Sequence, residues 1–170
     1  MIARTLLVAA VLVLAAVLET ALFPVVTLFG FRPDLLLLTT VVFATRDGPL
    51  TGVRIGATAG LVADLLVSSS PMGLTVLLYG IAGILVGWSR PFLAPNSVTA
   101  PLLLTAAASV LTTAAYGVLY SLLADERVGA VLVVQAAVAV GLYNTLLAPA
   151  WQVMVRAICE RFPLRTAGLE

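Results

Sequence analysis

The chain has 170 residues, of which 62% are hydrophobic and 10% charged, with a net charge of +1 and a mean hydropathy of +1.16. A soluble domain carries about 25% charged residues, and a globule of this size cannot hide so much apolar surface from water, so its solvent must be lipid. There is no His, all nine basic residues are Arg, and Cys159 is the one cysteine; this excludes an intrachain disulfide, a cysteine metal site and an imidazole base, and the near-neutral charge gives no electrostatic case for nucleic acid.

In chain order, the pattern predicts an all-α polytopic membrane protein with one integral membrane domain over 1–170 and six transmembrane helices near 5–23, 33–45, 52–67, 72–88, 98–123 and 130–155. The first apolar run, Thr5 to Phe23, has 19 residues, about the length that crosses a bilayer. A signal peptide would have a shorter apolar core and a small-residue cleavage site, so an uncleaved span is the better reading. Pro24 to Arg32 is short and still apolar, and is expected at the interface with Phe29 and Phe31 as anchors. Pro33 suits the first turn of a helix, and Asp34 favours its positive dipole end.

Pro33 to Arg46 is too short to cross fully at about 1.5 Å per residue. Either this helix starts near Thr27 and bends at Pro33, or the loop descends to meet it and is packed by protein. The turns Arg46-Asp47-Gly48-Pro49 and Ser68-Ser69-Ser70-Pro71 punctuate the next spans, with Pro33, Gly48, Pro49, Pro71 and Gly73 as structural turn residues. Ser89 to Ser97 and Ala124 to Gly129 read as loops, the last span is expected to bend near Pro149, and Arg156 to Glu170 reads as a tail. With the N-terminus inside, Arg4, Arg46, Arg54, Arg90, Arg156, Arg161 and Arg165 are cytoplasmic, and only Arg32 and Arg127 lie outside. The positive-inside rule therefore predicts N-in, C-in.

Gly52, Gly56, Gly60 and Asp64 recur every four residues on one helical face. Small residues at that spacing let helix backbones approach closely. The face can serve packing within the bundle, with Gly80, Gly83 and Gly87 as the facing groove, or docking of a partner's transmembrane helix. Glu19, Asp34 and Asp64 each fall near the outer end of a span, with Arg32 the nearby cation. Ionised groups in a bilayer cost a few kcal/mol or more and mark function or pairing; their shared depth predicts one polar pocket near the outer leaflet. The plainer alternative is that Asp34 caps its helix and Glu19 reaches the interface. Asn144 is expected to hydrogen-bond across helices, Tyr116 and Tyr120 to pack or lie at the interface, and Asp125 and Glu126 to be solvated. No catalytic residue, cofactor site or metal site is read from the sequence, because intramembrane nucleophiles and acid pairs lack their partners here.

The stretch Pro33-Asp34 with four leucines, Arg46-Asp47-Gly48-Pro49-Leu50-Thr51-Gly52, Gly56 and Gly60 leading to Asp64-Leu65-Leu66, Ser70-Pro71-Met72-Gly73-Leu74 and Leu78-Tyr79 resembles the MreD family of rod shape-determining proteins over roughly residues 33–88. The resemblance implies a small multi-pass protein of the bacterial inner membrane that takes part in cell elongation. It implies an MreC-like single-span partner, and indirect links to MreB-like filaments, a SEDS glycosyltransferase and a class B penicillin-binding protein. It also implies a fold similar to the substrate-binding subunits of energy-coupling-factor transporters. The expected role is non-enzymatic: the Gly52/Gly56/Gly60 face, or the adjacent fourth span, receives the MreC-like helix, and Arg32, Asp34 and Asp64 shape its outer end. The rival is a substrate-binding subunit of a small-molecule transporter, which would use the outer polar pocket. A handler of lipid-linked precursors is a third.

Overall fold

The computed structural model describes residues 2–21, 30–67, 72–93, 99–123 and 129–161, the side chains of 2–4 and 158–161 excepted. The turn at Pro71, the interfacial Phe29, the loop carrying Asp125, Glu126 and Arg127, and the side chain of Cys159 lie outside the described residues. Those described form six α-helices, α1 (Ile2–Ala21), α2 (Leu35–Asp47), α3 (Pro49–Leu66), α4 (Leu74–Ser89), α5 (Thr99–Leu123) and α6 (Ala130–Arg161), with a 3-10 turn at Arg90–Phe92 after α4.

The bundle is built around α2, which packs against all five other helices. Its ten residues from Leu35 to Ala44 are all buried, as a helix apolar on every side requires. Thr39 and Thr40 pose no exception, because their hydroxyls donate to the carbonyls of Leu35 and Leu36 at 2.7 and 3.0 Å. The indole of Trp151 on α6 donates to Thr39 Oγ1 at 3.0 Å. With 13 residues, α2 is about 20 Å long against a hydrocarbon core of about 30 Å. It starts at Leu35, with residues 30–34 non-helical ahead of it, so a helix running from Thr27 through Pro33 into α2 is ruled out. Pro33 is itself fully buried, which is how non-helical backbone is tolerated at this depth.

A single residue, Gly48, separates α2 from α3; it closes the first helix and opens the second with φ +89°, a backbone region that favours glycine. Pro49 follows at the first position of α3, where its missing N–H costs nothing. Helix α3 therefore starts three residues before the expected Gly52. Its glycine face is filled by α4. A Cβ on Gly52 would strike the Gly83 carbonyl, one on Gly56 would lie 2.7 Å from the Tyr79 carbonyl carbon, and one on Gly60 would lie 2.6 Å from Val76 Cα. From the other side, a Cβ on Gly83 would lie 2.5 Å from the Gly52 carbonyl carbon and one on Gly87 2.5 Å from Pro49 N. Gly80 stands apart, its nearest neighbour being Val53 Cγ2 at 3.7 Å.

Helices consecutive in the chain alternate in direction. Gly52 lies by Ala44 of α2 and Gly83 of α4, and Gly117 of α5 lies by Val133 of α6 while Gly141 of α6 lies by Val110. This gathers Arg46, Arg54, Arg90 and Arg156 at one end of the bundle and leaves Arg32 at the other. Helix α6 runs without interruption through Pro149 to Arg161, longer than the expected 130–155. Three helices, Leu74–Phe92, Thr99–Leu123 and Ala130–Ala157, are long and apolar enough to cross a membrane alone, and Thr5–Ala21 is a shorter apolar helix. Six helices are thus present among the described residues, and three of them have the length and hydropathy of a span. The others fall short for physical reasons: α2 is short and enclosed, and α3 carries Arg54 and Asp64. Large apolar side chains face outward on most helices, among them Leu103 and Leu111 on α5 and Leu142 and Leu146 on α6. Such a surface fits lipid.

Candidate functional site

The N-terminus of α2 is where the polar side chains of the bundle meet. Asp34 caps the helix, its Oδ1 accepting from the Leu37 amide at 2.8 Å and satisfying a donor that the first turn leaves unpaired. Its Oδ2 accepts from the Tyr79 hydroxyl of α4. Its own amide donates to Asn144 Oδ1 of α6 at 2.9 Å, and Asn144 Nδ2 donates to Ser109 Oγ of α5 at 3.0 Å. One aspartate and one fully buried asparagine thereby tie α2, α4, α5 and α6 together. Apolar side chains alone would not fix this arrangement, because in lipid they gain little from touching one another.

Glu19, near the end of α1, lies against the Leu35 and Leu36 amides and close to Asp34 and Arg32. The positive end of the α2 dipole suits both carboxylates. Beside them opens a cavity of about 280 Å³ to which α1, α3, α4, α5, α6 and the segment leading into α2 contribute. Glu19, Asp34, Tyr79, Thr112, Thr113 and Tyr116 form its polar wall, Ala63, Val67 and Val140 its apolar one, and Arg32 stands exposed at its edge.

Of the residues expected to share an outer pocket, Glu19, Asp34 and Arg32 come together. Asp64 is one wall away. It is buried, its Oδ2 accepts from the Gly73 amide at 2.8 Å, and its Oδ1 has no partner among the described residues. It holds the left-handed turn at Gly73, φ +94°, that opens α4, and does not line the cavity. The glycines Gly52, Gly56, Gly60, Gly83 and Gly87 lie at the α3–α4 contact, away from the cavity wall, and Gly80 is buried nearby without a close approach.

The sequence did not single out Tyr79, Ser109, Thr112 or Thr113 as site residues. Tyr79 could have been found, since it sits nineteen residues beyond Gly60 on the helix expected to face the glycine stripe. Ser109 lies in the run Ala106-Ala107-Ala108-Ser109, where nothing distinguishes it from a packing residue. Tyr116 and Tyr120 stack with ring centroids 5.9 Å apart and pack against the core.

Among the described residues there is no group of three or more His, Cys, Asp or Glu able to hold a metal ion. Hydroxyls, carboxylates and one guanidinium around a small cavity can hold a polar group in place. No curated relative and no solved structure matches the chain significantly, so the expected likeness to transporter substrate-binding subunits finds no support. The model of one protein family, the rod shape-determining protein MreD, matches residues 1–162, far beyond the 33–88 stretch from which the sequence argument started. Taken with the apolar helices, this places a membrane protein of cell-shape determination on the page: the chain belongs to the MreD family.

Proposed function

We propose that this chain is a non-enzymatic, multi-pass subunit of the bacterial cell-elongation machinery in the inner membrane, and that it binds an MreC-like single-span protein through helix–helix contacts and so helps regulate peptidoglycan synthesis. The observation that carries the reading is the family match over residues 1–162. The architecture agrees with it: almost all of the described chain is helix, so its contacts with other proteins in the bilayer must be made mainly by helix faces. In this reading all six helices lie across the membrane with both termini inside. The cations at the Arg46/Arg54/Arg90/Arg156 end support that orientation. MreB-like filaments, a SEDS glycosyltransferase and a class B penicillin-binding protein would be reached through the partner.

Helix α4 already occupies the Gly52/Gly56/Gly60 face, which favours a docking surface elsewhere. The fourth helix itself is the better choice. Leu77, Ile81, Leu85 and Trp88 line its outward side and are 57, 45, 56 and 63% exposed, a row at the spacing of one helical face.

The experiment is co-purification of this chain with the MreC-like protein of the same organism after gentle solubilisation. A stable complex that is lost with Ile81→Ala plus Leu85→Ala, while the variant stays folded, supports the reading and its surface. No complex with the folded wild-type chain overturns it. A transport subunit is less well supported, since small-molecule sites usually span about 300–1,000 Å³ and this cavity, at about 280 Å³, has room for only a small ligand.

A further inference from the structure

We infer that the cavity at the N-terminus of α2 binds a zwitterionic phosphoethanolamine group, that of a phosphatidylethanolamine lipid, with Arg32 taking the phosphate and Glu19 the ammonium. Three observations converge on this chemistry. The cavity wall carries complementary groups: an exposed guanidinium at the rim and the half-buried Glu19 carboxyl group, whose charged form a bound cation would favour. Arginine is well matched to phosphate oxygens, and a primary ammonium offers three donors.

Glu19 Oε2 is also buried with no hydrogen-bond partner among the described residues. A carboxylate oxygen left in that state within a membrane protein calls for a donor. The terminal torsion of Glu is broad, so this oxygen can turn to a donor in the cavity. Asp34 is the weaker candidate, because each of its oxygens already accepts one hydrogen bond, from Leu37 and from Tyr79, whereas Glu19 Oε2 accepts none among the described residues.

The size of the space is the third point. About 280 Å³ is the volume of about nine waters at roughly 30 Å³ each, enough for a headgroup and too little for a large cofactor. The lipid source follows from the surroundings. The cavity opens beside exposed apolar residues, Val67 at 49% and Leu66 at 47%, along which acyl chains can lie while the headgroup enters. This inference is independent of any protein partner: its test and the co-purification above can fail separately.

The test is lipid selection by the full-length wild-type chain, purified, delipidated and returned to nanodiscs or mixed micelles. Retention is read by native mass spectrometry and stabilisation by thermal unfolding. Phosphatidylethanolamine is expected to be retained over phosphatidylglycerol, which lacks the ammonium, and over phosphatidylcholine, which has no N–H donor, by about tenfold, the ratio one charge-assisted hydrogen bond supplies. Glu19→Gln should remove the preference over phosphatidylglycerol. Arg32→Gln, at an exposed position, should lower retention of phosphatidylethanolamine. Equal retention of the three lipids by the wild-type chain overturns the inference, as does an unchanged preference in a folded Arg32→Gln, Glu19→Gln pair. A thermal shift with soluble phosphoethanolamine but none with the lipid overturns the lipid source.

Discussion

Asn144 shows how much one polar side chain can decide inside an apolar bundle. It is fully buried, accepts from the Asp34 amide and donates to Ser109, so it fixes α6 against α2 and α5 at one height. Replacing it with Leu leaves the Asp34 amide and the Ser109 hydroxyl without this partner, and unpaired buried groups cost about 1–3 kcal/mol. Asn144→Leu should therefore lower thermal stability in detergent by that order. Ser109→Ala removes only one interhelical bond, for which about 0.6 kcal/mol is typical, and should produce a much smaller shift. If the two variants melt alike, the asparagine is not the junction described here. Part of this junction was legible in the sequence. An amide in an otherwise apolar span must find a partner, so Asn144 stands out. Its partners do not, because a serine among alanines and a backbone amide carry no mark of what they face.

At the scale of the element, the glycine spacing revealed a close helix contact but not its owner. A stripe at every fourth residue is the same whether the opposing helix belongs to the chain or to a partner. What decides is the distance to backbone atoms of α4, and that is a property of the folded pair. The same geometry separates glycines that look equivalent in sequence. Gly56→Ala would place Cβ 2.7 Å from the Tyr79 carbonyl carbon, and neither backbone can yield without separating α3 from α4. Overpacking of this kind costs about 1–3 kcal/mol or more, so loss of monodisperse yield and a lower melting temperature are expected. Gly80→Ala meets Val53 Cγ2 at 3.7 Å, an ordinary contact, and gains about 0.5–1 kcal/mol in helix propensity. It should be neutral or stabilising in the same assay. Gly48→Ala is a third case: there is room, but φ +89° with ψ −175° is a region essentially reserved for glycine and costs an L-residue about 1–3 kcal/mol.

For the whole molecule, the sequence conveyed the number of helices and the asymmetry of charge better than it conveyed depth. Hydropathy treats every apolar run as a span. It cannot tell that α2 is enclosed on all sides, because a helix surrounded by protein and one surrounded by lipid share the same composition. The arginines are less ambiguous, since they are fixed to helix ends and the alternating helices sort those ends into two groups. Arg46, Arg54, Arg90 and Arg156 share one end and Arg32 lies at the other. A charged end resists translocation, so the four-arginine end is expected in the cytoplasm. Single cysteines placed in a Cys159→Ser background test this directly. Arg32→Cys should react with a membrane-impermeant maleimide applied to intact spheroplasts. Arg90→Cys, exposed on the 3-10 turn after α4, should react only after the membrane is opened. The reverse pattern would invert the protein and move the α2 cavity to the cytoplasmic leaflet. Labelling of both positions in intact spheroplasts would mean that the two ends do not lie on opposite sides, and the crossing of the bundle itself would have to be given up.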